Sequence, residues 1–266
     1  MTRPSWQDYG TYDESAYPQL WDGVVGAWCP SLGPTGLRLH DHSRGIRWGT
    51  LTNMDPPTDW VVQDGQYALD FDGVNDYALI GTHEPLNSVT QYVSAWIRPT
   101  AVAADYMVYS MSNTPATIYR GLWVTSGSLR WAWGSSSGNY RLYTTAAATI
   151  VVNKWQHVAA GHTDTGAPVI WIDGVVKTST LSSSGVNSLP TLQQSDIGRL
   201  GNNFYFQGQI DNVTVWNRTV TENEMRQVYL LGRGGMYERR RRTLRRVAIE
   251  QATGARRRRI LCGDYS

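Results

Sequence analysis

Cysteine is nearly missing from this 266-residue chain, which holds only Cys29 and Cys262. Two thiols make neither a disulfide framework nor a cysteine-based zinc site; they either pair with each other or stay reduced. Lysine is as scarce, with Lys154 and Lys177 alone, so arginine carries nearly all the positive charge. Glutamate is missing from the middle: between Tyr17 and Thr221 the only one is Glu84. A glycoside hydrolase needs two carboxyl groups flanking one bond, and the chain offers no such glutamate pair, because Glu222 and Glu224 fall at a helix start. No G-x-S-x-G nucleophile motif occurs. These absences predict a non-enzymatic protein, with a hydrolase built from scattered aspartates as the alternative. No stretch has the length of a membrane span, and Met1-Thr-Arg-Pro is not followed by the apolar run of a secretory leader.

What charge there is lies unevenly. Residues 232–266 hold eleven arginines against Glu238, Glu250 and Asp264, whereas the body before them is mildly acidic. A globular body with a basic extension is a two-part object. The division expected is an N-terminal arm over 1–19, a body over 20–231 and an Arg-rich tail over 232–266, with Gly232-Arg-Gly-Gly as a flexible linker. The clusters Arg239, Arg240, Arg241, Arg242 and Arg256, Arg257, Arg258, Arg259 are the expected anchor. Arginine forms bidentate pairs with carboxylates and also binds phosphates. The tail lacks the interleaved aromatics of single-strand binders, and a protein partner is favoured over nucleic acid because the body reads as a surface-type module.

The body is rich in Trp and Tyr and poor in Phe, a bias toward β-structure. Tyr67–Ile80 sets its pattern, with apolar runs around a Gly-Asn-Asp turn. In Val89–Pro99, Val93, Ala95 and Ile97 alternate with Ser94, Trp96 and Arg98, one face of a sheet. Asp173-Gly174 between apolar runs is a strong hairpin signal. Leu20–Cys29 reads as the first strand, Pro56-Pro57 as a block to regular structure, and Ser182–Ser188 as a loop. Thr221 with Glu224 three residues on is a capping box, for a helix ending at Gly232.

Several of these segments resemble one family. Phe71-Asp-Gly-Val-Asn-Asp-Tyr77 is similar to the "FDGxDDY" signature of laminin-G-like, concanavalin A-like jelly rolls. Val89–Pro99, Asn153–His162, Val169–Val176, Asp196–Arg199 and Phe206–Trp216 resemble further strands of that family in the same order. Asp41–Gly45 with Gly49–Leu51 resembles a family loop, departing at Arg44 and Ile46. The resemblance implies an all-β antiparallel two-sheet jelly roll with a short C-terminal helix. It also implies a structural Ca²⁺ held by carboxylates, here Asp72 and Asp211, and a structural hydrogen-bonding role for His157. Arg-rich extensions on such domains resemble those of tailed-phage structural proteins. That points to a capsid decoration or fibre component on the virion surface, homo-oligomeric and held by other virion proteins, with a secreted or cell-surface lectin-like adhesion domain as the alternative.

For sugar recognition the aromatic candidates are Trp123, Trp131, Trp133 and Tyr140, with Arg141 among the hydrogen-bonding groups. Trp131 and Trp133 share the parity of Leu129, so a place in the sandwich core is the competing reading. His40-x-His42 is either a metal pair on one strand face or a polar loop pair.

Overall fold

A computed structural model describes residues 17–113, 117–136, 139–163, 166–185 and 193–237. Two sheets, antiparallel at every pairing, face each other across one large apolar core. The eight-stranded sheet runs β14 (Val175–Lys177), β13 (Val169–Ile172), β12 (Gln156–His162), β7 (Gln91–Pro99), β17 (Gln207–Trp216), β5 (Gln66–Asp72) and β4 (Trp60–Gln63), with β1 (Val24–Trp28) pairing the far half of β17. The nine-stranded sheet runs β15 (Ser179–Ser184), β11 (Asn139–Thr145), β10 (Ser128–Ser136), β9 (Thr117–Thr125), β8 (Tyr106–Asn113), β16 (Gln194–Ile197), β6 (Tyr77–Thr82), β3 (Gly49–Thr52) and β2 (Arg38–Leu39). This is the jelly roll that the motifs imply.

Alternation decides which side chains enter the core. Val93, Ala95 and Ile97 on β7 are fully buried there, and Trp96 points the other way, stacking on Tyr229 at 5.8 Å between ring centroids. The hairpin turns carry the backbone that a right-handed strand twist demands. Asp173 and Gly174 have φ of 53° and 70°, and Ser126 and Gly127 have 46° and 70°.

One outer face is shut. Helices α1 (Pro18–Trp21) and α3 (Glu222–Leu231) lie over the eight-stranded sheet, where Leu20, Trp21, Met225 and Val228 pack on Tyr92, Trp171 and Trp216. Thr221 caps α3 as expected: its hydroxyl accepts from the Glu224 N–H, and Glu224 accepts from the Thr221 N–H at 2.8 Å.

Four expectations are corrected. Leu20 and Trp21 belong to α1, not to the first strand, because Pro18 starts a helical turn. Pro56 and Pro57 open a helical turn, α2 (Pro56–Asp59), for the same reason. Ser179–Ser184 is an edge strand; its uncharged polar sequence has no alternation to betray it. The Gly232-Arg-Gly-Gly segment is docked rather than a free linker. Arg233 pairs with the fully buried Asp211 at 3.1 Å and lies over the Trp155 ring at 4.0 Å. Met236 is buried against the helices, and Tyr237 meets Trp21 edge-on at 5.2 Å. Glycine count suggested flexibility, but the tertiary partners of Arg233 and Tyr237 decide otherwise.

Candidate functional site

Register assigns the outward face of the nine-stranded sheet. Met111 is a core residue, so its neighbour Ser110 points out, and Asp196 is the cross-strand partner of Ser110. Asp196 in turn faces Leu79 on β6, which faces Thr50 on β3, which faces Arg38 on β2. On the other side Ser110 pairs with Gly121, then Ala132, then Leu142. Among the described residues no helix covers this face; the turn after β16 lies on part of it, with Leu200 against Met107 and Trp123.

Two aromatic groups on this face are held by cationic side chains. At its edge Trp48, 38% exposed, stacks with His40 at 5.4 Å and has the Arg38 guanidinium 4.9 Å from its ring centroid. Burial and then the Arg38 charge lower the His40 pKa from its ordinary value, so the imidazole is neutral at pH 7. Nearer the centre Arg199 sits 3.3 Å over the Tyr77 ring. Its Nε donates to Asp196 Oδ2 at 3.0 Å, and Gln194 Nε2 lies 3.1 and 3.0 Å from the two oxygens of the same carboxylate. Ser110 Oγ donates to the Arg199 carbonyl at 2.7 Å. Burial raises the Asp196 pKa, against the pull of Arg199. The result is a buried guanidinium laid on a half-buried tyrosine of β6, and an exposed indole immediately before the neighbouring strand β3. Rings flanked by planar donors suit the apolar face and hydroxyl edge of a sugar.

The residues singled out from the sequence fall differently. Trp131 and Trp133 are 0% and 1% exposed and belong to the core, so neither has a face to offer a sugar. The parity shared with Leu129 was the correct guide. Trp123 is on the outward face but buried beneath Leu200. Tyr140 and Arg141 are half-buried on β11; Tyr140 packs on the Trp123 cluster, and Arg141 Nε lies 3.4 Å from the Gly185 carbonyl.

Asp72 and Asp211 are not brought together. Asp72 pairs in register with Gln207, so Asp211 lies four residues further along β17, about 13 Å away. Asp72 Oδ1 accepts from the N–H groups of Val74, Asn75 and Asp76 at 2.7, 3.0 and 3.3 Å. Burial opposes its ionisation, but these donors prevail and hold its pKa below the usual range. Asp211 accepts from Ser31, the Asn212 N–H and Arg233. Each carboxylate is used by protein donors, and the pair does not fit a shared calcium ion.

The histidine pair diverges as well: His40 turns to Trp48, and His42 is buried edge-on to Tyr237. His157 is fully buried against both rings of the stacked Trp96–Tyr229 pair, and neither ring nitrogen has a hydrogen bond, so the expected hydrogen-bonding role is replaced by ring packing. Asp41 organises the resembling loop, accepting from the Ala27, Ser43 and Arg47 N–H groups at 2.9, 2.8 and 2.7 Å. The Cys29 thiol lies 2.9 Å from the Asn212 amide. Cys262 and the anchor arginines 239–242 and 256–259 lie outside the described residues. Sequence reasoning missed Arg38, Trp48, Tyr77 and the Asp196–Arg199 pair as a set. Each sits in or beside a recognised motif, but only cross-strand register joins them.

Residues 72–226 match the laminin G model described as the concanavalin A-like lectin/glucanases superfamily. No curated protein matches the sequence. Among solved structures, a Trypanosoma rangeli sialidase bound to 2,3-difluorosialic acid superposes with a TM-score of 0.57 at 18% identity, over 79% of this chain and 33% of that one. The binding domain of Paraclostridial Mosquitocidal Protein 1 gives 0.60 at 16%, over 80% and 54%. The receptor-binding domain of botulinum neurotoxin mosaic serotype C/D gives 0.60 at 15%, over 79% and 51%. The chain thus spans about a third of the sialidase and about half of each toxin domain.

Proposed function

The chain belongs to the concanavalin A-like lectin/glucanases superfamily, and from that premise we propose that it is a non-catalytic carbohydrate-binding module whose ligand lies on the outward face of the nine-stranded sheet. The asymmetry of the two faces carries this reading. The eight-stranded sheet is shut by α1, α3 and residues 232–237, while the nine-stranded sheet presents Trp48 with Arg38 and Tyr77 with Arg199. Catalysis is not part of the reading: the central carboxylate, Asp196, is bound by Arg199 and Gln194, and a second carboxylate placed for acid–base work is not found beside it among the described residues. The test is a glycan array followed by titration of the best ligand against Trp48→Ala and Tyr77→Ala. Each change is expected to weaken binding about tenfold or more, the loss of one stacking contact. Unchanged affinity in both would remove this face from the proposal.

The wider setting we propose is the surface of a tailed-phage particle, as a decoration or fibre component, supported by the arginine-rich residues beyond 237. A lectin-like adhesion domain outside a cell is the alternative. Co-sedimentation with particles lacking the protein separates them: full-length chain binding, and a version ending at Tyr237 not binding, supports the virion role. No binding by either favours the adhesion domain.

A further inference from the structure

At one end of the sandwich, away from the open face, two buried hydrogen-bond donors lack an acceptor beside a buried arginine. Arg120 on β9 lies opposite Trp133 on β10. His162, at the end of β12, lies opposite Gln91 on β7 and stacks on Trp133 with centroids 4.3 Å apart. All four residues are no more than 2% exposed. Trp131 Nε1–H donates to His162 Nδ1 at 3.2 Å. That bond requires Nδ1 to be bare, so Nε2 carries the ring proton. His162 Nε2–H and Trp133 Nε1–H are both buried, and neither has a partner.

The charge is equally uncompensated. Arg120 donates through Nη1 to the Ser88 carbonyl and forms no ion pair with a carboxylate among the described residues. Burial lowers its pKa to about 10, so it stays cationic at neutral pH. Burial, and then the Arg120 charge, push the His162 pKa well below its ordinary value, so the imidazole is neutral and acts as a donor only through Nε2. Gln91 directs its amide nitrogen to the Leu86 carbonyl at 2.6 Å, which leaves its Oε1 buried and unpartnered but with no charge to offer Arg120. A buried cation without a counter-charge is strongly unfavourable, and buried unpaired donors call for an acceptor.

We propose that the Arg120–His162–Trp133 cluster binds a compact monoanion, halide or carboxylate, as the counter-ion of Arg120. The burial of all three residues excludes large anions. Water is the rival occupant: it would satisfy the ring donors but leave the charge of Arg120 uncompensated. The two are separated with the full chain at constant ionic strength. Sodium chloride, bromide or acetate replaces sodium gluconate, whose anion is too large for the site, and the unfolding midpoint is followed. A saturable rise of a few degrees is expected with the small anions, lost in Arg120→Gln. In crystals of the unaltered protein soaked in bromide, an anomalous peak beside Arg120 is expected, whether or not the variant folds. Displacement of that peak by acetate identifies carboxylate as a ligand, and persistence identifies halide alone. Equal midpoints in all salts together with no bromide peak would mean water only and overturn the proposal.

Discussion

His157 and Asp211 are fully buried titratable groups on adjacent parts of the eight-stranded sheet, and they pull stability in opposite directions with pH. Burial lowers the His157 pKa from 6.5 to about 3. As pH falls below 6.5 the unfolded chain therefore takes up a proton that the folded chain refuses, and stability is lost until about pH 3. Burial raises Asp211 from 3.8 to about 6, against the pull of Ser31 and Arg233, and burial with neighbouring carboxylates does the same for Asp76. For these two the folded state holds its proton longer, so their contribution is greatest below pH 3.8 and is lost as pH rises through 6. Between pH 4 and 6 the two effects partly cancel. His157→Gln removes one of them. Its urea stability relative to the unaltered chain should then improve by about 1.4 kcal/mol for each unit of pH below 6.5. Parallel pH profiles for the two proteins would show that His157 is accessible to protons when folded.

At the level of elements, α3 closes one sheet because its first turn is fixed twice. Thr221 and Glu224 cap each other, and Glu224 also meets Arg218 at 2.7 Å. Thr221→Ala should cost about 1 kcal/mol and Thr221→Ser should restore most of it; an equal loss in both variants would mean that packing, not the cap, holds the helix. This cap was legible in the sequence, as were the Asp173-Gly174 hairpin and the core face of β7, since each depends on residues a few positions apart. Strand β15 was not. Its sequence, Ser-Thr-Leu-Ser-Ser-Ser, pairs only because β11 lies beside it, from Arg141 opposite Ser184 to Thr145 opposite Ser179.

On the scale of the whole molecule, the packed body continues past Leu231 at least as far as Tyr237. Gly232–Tyr237 contributes the Arg233–Asp211 ion pair, buried Met236 and a Tyr237 hydroxyl 3.2 Å from Thr214 Oγ1. A chain ending at Tyr237 should keep the full-length unfolding midpoint. One ending at Leu231 should lose at least about 4 kcal/mol, from the two side chains and the stranded Asp211 carboxylate; equal midpoints would show that the segment adds nothing to the fold. By itself the sequence determined the hairpins, the helix cap and the core face of β7, because alternation, turn residues and caps are local, and the order of motifs resembling the laminin-G-like family implied the jelly roll. For Trp131 and Trp133 it left two readings open, a sugar platform and a core position shared with Leu129, and the structure puts both in the core. Only the tertiary structure decided the partners of side chains distant in sequence. It set Arg233 on Asp211, parted Asp72 from Asp211, and brought Arg38 to Trp48 and Arg199 to Tyr77 on one open face. Cross-strand register fixes those neighbours, and register is a property of the paired sheet rather than of any one segment.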